Sequence, residues 1–196
     1  MKRAAVGFRV HSGWAALVAL TVEKGAPVVL ARRRVHLVDT FDYEFRQPYH
    51  TAQKLLPEKA RAFVARMRNE SQRLALRAIR EVAANLRDQG YQLGGCGLLR
   101  SSGRPLPKLR QILASHSLIH SADGELFREA ILHAAARCGL KSLTVKEREA
   151  LDSASRKFRT KPSELARRIK ELGRPLGAPW SEDEKLATMA AWLAAT

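Results

Sequence analysis

The first 38 residues hold three apolar runs, at 4–11, 14–22 and 28–38, separated by Ser12-Gly13 and by Glu23-Lys24-Gly25-Ala26-Pro27. β-tolerant runs bounded by Gly-containing turns predict three strands joined by tight connections. In the third run Arg32, Arg34 and His36 alternate with Arg33, Val35 and Leu37. So many charges along one strand predict a sheet edge. Residues 39–56 lack a clear period and read as irregular. From Pro57 the period becomes helical: Ala60, Phe63, Val64, Met67, Leu74, Ala78, Val82 and Leu86 recur at helical spacing. Pro57 suits a first turn and Gly90 a stop. Residues 93–99 predict a short strand, and Gly94, Gly95 and Gly97 within it predict close backbone approach.

The second half alternates in the same way. Residues 101–107 read as a loop by their Ser, Gly and Pro content. Residues 108–138 predict a helix, broken near Asp123-Gly124. Residues 143–145 predict a brief strand. Two helical pieces follow from Asp152, interrupted at 174–179. Ser181 caps a last helix with Glu182, Asp183 and Glu184 in its first turn. The predicted fold class is α/β: a three-stranded antiparallel meander, then alternating helices and parallel strands, with helices covering the mixed sheet. One domain over 1–196 is expected, with a helical C-terminal portion from about 152.

Composition narrows the classes. With 45% hydrophobic residues the chain is not of the disordered type. Its longest apolar stretch, near 14–22, is about half of a membrane span. Met1-Lys2-Arg3 is basic, but Arg9 and His11 follow, which argues against a signal peptide. Cys96 and Cys138 make neither a disulfide framework nor a four-ligand zinc site, and read as reduced thiols of a cytoplasmic protein.

Charge changes the picture most. Lys+Arg number 35 against 19 Asp+Glu, a formal +16. Residues 1–110 hold 21 basic and 8 acidic residues; residues 111–196 hold 14 and 11. Lys59, Arg66, Arg73, Arg80 and Arg87 fall seven residues apart on the long helix. Seven residues are nearly two turns, so these cations form one slowly drifting line about 42 Å long. Arg77 lies close by. Residues 54–110 hold thirteen Lys+Arg against four Asp+Glu, so most lack a local partner. Such a line suits a nucleic-acid backbone, whether RNA or DNA; the plain alternative is a solvated helix face. Arg100, Arg104, Lys108 and Arg110 add a basic loop before the next helix, which does not carry the Gly-Lys-Ser/Thr ending of a Walker loop.

Two further groupings carry chemistry. His116, His120 and Asp123 share one face if helical, at i, i+4 and i+7, a spacing able to chelate a divalent metal such as zinc or iron. Ser117 stands where a metalloprotease helix needs its Glu base. A histidine packed on the sheet is the plain alternative. Phe41, Tyr43, Phe45 and Tyr49, beside Arg46 and His50, could stack bases or extend a strand onto the core. Trp14 and Trp192 read as core.

The element order, the Gly7-Phe8-Arg9 segment ending an apolar first strand before Ser12-Gly13, and the acidic start of the last helix resemble the ribonuclease H-like superfamily, which includes RuvC-type resolvases. Release-factor central domains have a broadly similar order. Nucleic-acid-cutting members of the ribonuclease H-like group use carboxylates from several elements to hold divalent metal. Here Arg9 stands where the resemblance places the first-strand Asp, and the fourth strand offers Cys96 and glycines with no Glu. Only Asp183 or Glu184 matches the last-helix acid. The resemblance therefore implies a degenerate member that binds nucleic acid without cutting it. Two alternatives stay open: a metal-dependent nuclease or phosphohydrolase relocated around His116, His120, Asp123 and Asp183, and a binding module for an acidic protein.

Overall fold

The computed structural model describes residues 1–101 and 105–195. Strands β1 (Lys2–His11), β2 (Trp14–Glu23) and β3 (Ala26–His36) form an antiparallel meander. Helix α3 (Pro57–Asp88) leads into β4 (Tyr91–Arg100), which pairs parallel to β1. Helices α4 (Leu109–Leu113) and α5 (His116–Arg137) lead into β5 (Lys141–Lys146), parallel to β4. The sheet order is β3-β2-β1-β4-β5, so the arginine-rich β3 is an edge strand as its charges predict. A 3-10 turn (Glu147–Glu149) and helices α6 (Ala150–Phe158), α7 (Pro162–Leu172) and α8 (Glu182–Ala195) complete the order.

Strand alternation sends Val6, Phe8, Leu17, Cys96 and Leu98 to one face. There they meet Phe63, Val64, Met67, Ile79 and Leu86 of α3, and Ile119, Leu126, Phe127 and Ile131 of α5. Each such side chain contributes about 1.5–3 kcal/mol on burial, before chain entropy is subtracted. The other face carries Leu20 and Leu99 against Met189, Trp192 and Leu193 of α8, with Leu165 and Ile169 of α7 beyond.

That second face is built on glycine. A Cβ on Gly7 would lie 2.0 Å from the Ala187 carbonyl oxygen, one on Gly97 2.0 Å from that of Ala190, and one on Gly95 2.5 Å from that of Ala194. The alanines of α8 thus rest directly on the strand backbones. The close approach predicted for the glycine-rich strand is a helix, and it brings the start of α8 over the carboxyl end of β1.

Two local expectations are corrected. Residues 39–56 are not irregular throughout: Asp42 precedes a short helix α1 (Tyr43–Arg46), and Pro48 opens α2 (Pro48–Ala52). The aromatics there are therefore not a strand extension. The helix break lies at Ala114-Ser115, and α5 runs unbroken through Asp123-Gly124. The Asp123 carboxylate accepts the Tyr49 backbone N–H and pairs with His50, so it does not compete for backbone groups of its own helix.

Candidate nucleic-acid interface and the carboxyl end of the sheet

Beyond Gly7, β1 continues with Arg9 and His11 on the α8 side. Arg9 Nη1 lies 3.1 Å from Asp183 Oδ1, and Arg9 Nη2 donates to Glu147 Oε1 at 3.0 Å. His11 Nε2 is 2.8 Å from the same Asp183 oxygen. The Ser181 hydroxyl accepts the Asp183 N–H, and Glu184 reaches back to the Ser181 N–H at 2.7 Å. This reciprocal capping box starts α8 where the sequence places it. The loop ahead of it is gripped from the sheet edge: the Arg32 guanidinium donates to the carbonyls of Leu176, Gly177, Ala178 and Pro179.

Beside this cluster runs a ladder of flat groups. His11 stacks on Trp14 at 4.3 Å, the Arg34 guanidinium lies 3.9 Å over Trp14, and the Arg46 guanidinium lies 4.4 Å over Phe41. Trp14 is half-buried rather than core, because β2 begins at the open end of the sheet; Trp192 is buried between α8 and α6 as expected. Tyr49 is buried as well, while Tyr43 is 57% exposed.

On the opposite face, Lys59, Arg66, Arg73, Arg77, Arg80 and Arg87 are all exposed along α3. Arg73 pairs with Asp39 at 2.6 Å, and Arg77 lies 3.8 Å from Glu81. Among the described residues, Lys59, Arg66, Arg80 and Arg87 make no ion pair. Lys108 and Arg110 are exposed and likewise unpaired. Arg100 is different: it is clamped with Arg128 onto the buried carboxylate of Glu125. A charge committed to an internal pair is not free for a phosphate, so Arg100 leaves the predicted basic loop. Arg104 lies outside the described residues.

No family model matches the sequence, and no match was found among curated proteins. Among solved structures, the chain is similar to Thermus thermophilus RuvC in complex with a Holliday junction substrate. The identity is 14%, with 97% of this chain and 90% of that one covered at a TM-score of 0.54. A second Thermus thermophilus RuvC structure gives 14% identity, 96% and 91% coverage, and a TM-score of 0.52. The fold is ribonuclease H-like.

The resemblance implies carboxylates from several elements around a divalent metal, and the residues it matches on the first strand and the last helix, Arg9 and Asp183, meet at the carboxyl end of β1. The residues at that end do not fit such an ion. Arg9 places a permanent cation between Asp183 and Glu147, and a guanidinium cannot ligate a metal. Strand β4 carries no carboxylate, and Leu99, two residues beyond the Gly7–Gly97 pair, is buried in the apolar cluster that includes α8. Cys96 points to the opposite core, and burial pushes its thiol up to about 12.

The histidine grouping is separate from this end. His116 and His120 share a face of α5, with their Nε2 atoms 3.0 Å apart. Asp123 is 3% exposed, its carboxylate on the Tyr49 amide at 2.6 Å and on His50 Nδ1 at 2.5 Å, so it reaches the pair through His50. Burial pushes that carboxyl above its ordinary value, and the hydrogen bonds from Tyr49 and His50 pull it back. Asp183 belongs to the α8 face and His116, His120 and Asp123 to the α5 face, so the structure does not join them into one relocated site. His50 is the member that spacing alone could not find, since it comes from α2, 66 positions before His116.

Proposed function

We propose that this chain is a non-catalytic nucleic-acid-binding domain that grips the phosphate backbone through α3. The observation carrying this reading is the exposed row Lys59, Arg66, Arg80 and Arg87, which has no carboxylate partner among the described residues. Arg73 and Arg77 lie on the same helix face, with one carboxylate each, and Lys108 and Arg110 extend the basic surface. A row of unpaired cations recruits a polyanion by releasing its counterions, with no need to read bases. A nucleic acid is further supported by the similar fold of RuvC, solved with a Holliday junction substrate. Absence of cutting is supported by the Arg9–Asp183–Glu147 cluster, in which a guanidinium stands amid the carboxylates.

The test is fluorescence anisotropy with labelled duplex DNA and duplex RNA over a salt series. Steep weakening with salt and little dependence on sequence are expected. No binding to either nucleic acid at low salt, with retained binding to an acidic protein, would overturn the proposal.

A further inference from the structure

We propose that His50, His116 and His120 form a binding site for a divalent transition-metal ion of the zinc class, tying α2 to the first turns of α5. Each imidazole offers one ring nitrogen, and the three nitrogens lie within 4.8 Å of one another. The His116–His120 separation of 3.0 Å is close to the tetrahedral edge of about 3.3 Å set by Zn–N bonds of about 2.0–2.1 Å. His116 and His120 are exposed, so small rotations of their rings can close the remaining distance to His50.

The outer layer favours an ion too. His50 Nδ1 is held by Asp123, leaving Nε2 as its free ligand atom. A carboxylate on the far nitrogen fixes the tautomer and raises the basicity of a metal-binding imidazole. Asp123 is itself fixed by the Tyr49 amide at 2.6 Å, so this layer is rigid before any ion arrives. The three rings pack edge to face, with centroids 4.4, 4.5 and 5.6 Å apart. Crowding three imidazoles beside a buried carboxylate suits a shared cation. Nitrogen ligands select zinc, cobalt or nickel over magnesium, which prefers oxygen. The open side leaves a fourth position for water or an anionic oxygen.

The site is independent of the α3 cations, so either proposal can fail alone. The experiment uses tag-free, chelator-stripped protein titrated with Co²⁺ and followed by visible absorption, then by displacement with Zn²⁺. One equivalent of Co²⁺ should give the intense bands of four-coordinate cobalt, and Zn²⁺ should abolish them and raise Tm. Mg²⁺ should do neither. The exposed double variant His116→Ala/His120→Ala should lose binding at least about 100-fold while keeping its fold, and Asp123→Asn should weaken it about 10–100-fold. His133→Ala, an exposed histidine on the same helix, should bind as the parent does. Absent cobalt bands, or equal affinity in the double variant, would overturn the site.

Discussion

The two faces of the sheet solve helix packing in opposite ways. Helix α8 touches the strands backbone to backbone through Gly7, Gly95 and Gly97, whereas α3 and α5 stand off on Phe63, Met67, Ile79 and Phe127. Charge follows the same division. Over the α8 side, Arg9 and Arg32 are consumed by Asp183, Glu147 and loop carbonyls. On the outer side of α3, four cations have no carboxylate among the described residues. Basic residues of one chain thus divide into those committed to internal pairs and those without a carboxylate among the described residues, and only their contacts tell the two apart.

The contrast breaks most readily at the glycines. Gly7→Val should cost at least about 3 kcal/mol, because the helix backbone must move to admit the side chain. Hydrogen exchange should show α8 losing protection ahead of α3. Met67→Ala on the other face should cost about 2–5 kcal/mol without that selective loss. Next in size is Arg9→Ala, which strands Asp183 and Glu147 and should cost about 1–3 kcal/mol in denaturant titration while leaving nucleic-acid affinity unchanged. Arg9→Asp sharpens the point: with three carboxylates at the end of the sheet, Mg²⁺ should raise its Tm and leave that of the parent unmoved.

Smaller effects check the same division. With its thiol buried and pushed up to about 12, Cys96 should react with a disulfide reagent only after unfolding, while the half-buried Cys138 reacts in the native protein. Smallest is Glu164 on α7, whose carboxyl is held below its ordinary 4.5 by hydrogen bonds from Arg167 and Arg168. A folded value below the unfolded one stabilises the protein above about pH 4.5 and is lost as pH falls through the folded value. Glu164→Gln should therefore flatten the acid limb of the stability profile slightly, with little change at neutral pH.

Much of this was legible beforehand because period and punctuation are local. Three apolar runs with Gly turns, a helix framed by Pro57 and Gly90, and an acidic capped last helix each carry their signal within a few residues. The glycines of β4 announced a close neighbour but not its identity, since α8 lies about 90 residues further on. Helix α2 is hidden from a sequence reading because it is held by packing of Tyr49 and by the Asp123 carboxylate, and α1 because four residues are too few to show a period. His116 and His120 could be paired by spacing, whereas His50 could not, because α2 meets α5 only in the folded chain. Nothing local to Arg100 distinguishes it from its basic neighbours, because its partner Glu125 lies 25 residues further on.

The most direct measurement is the salt dependence of nucleic-acid affinity for two neutralised variants. One replaces Lys59, Arg66, Arg80 and Arg87 with Gln; the other replaces Arg137, Lys141, Lys170 and Arg174, exposed cations after Gln111. With roughly 0.9 counterion released per phosphate contact, the first should lower the slope of log affinity against log salt by about 3.6 on duplex DNA. The second should change it far less, and both should unfold at the parent Tm. Equal slopes for the two variants would contradict the claim that α3 is the surface that meets the phosphates.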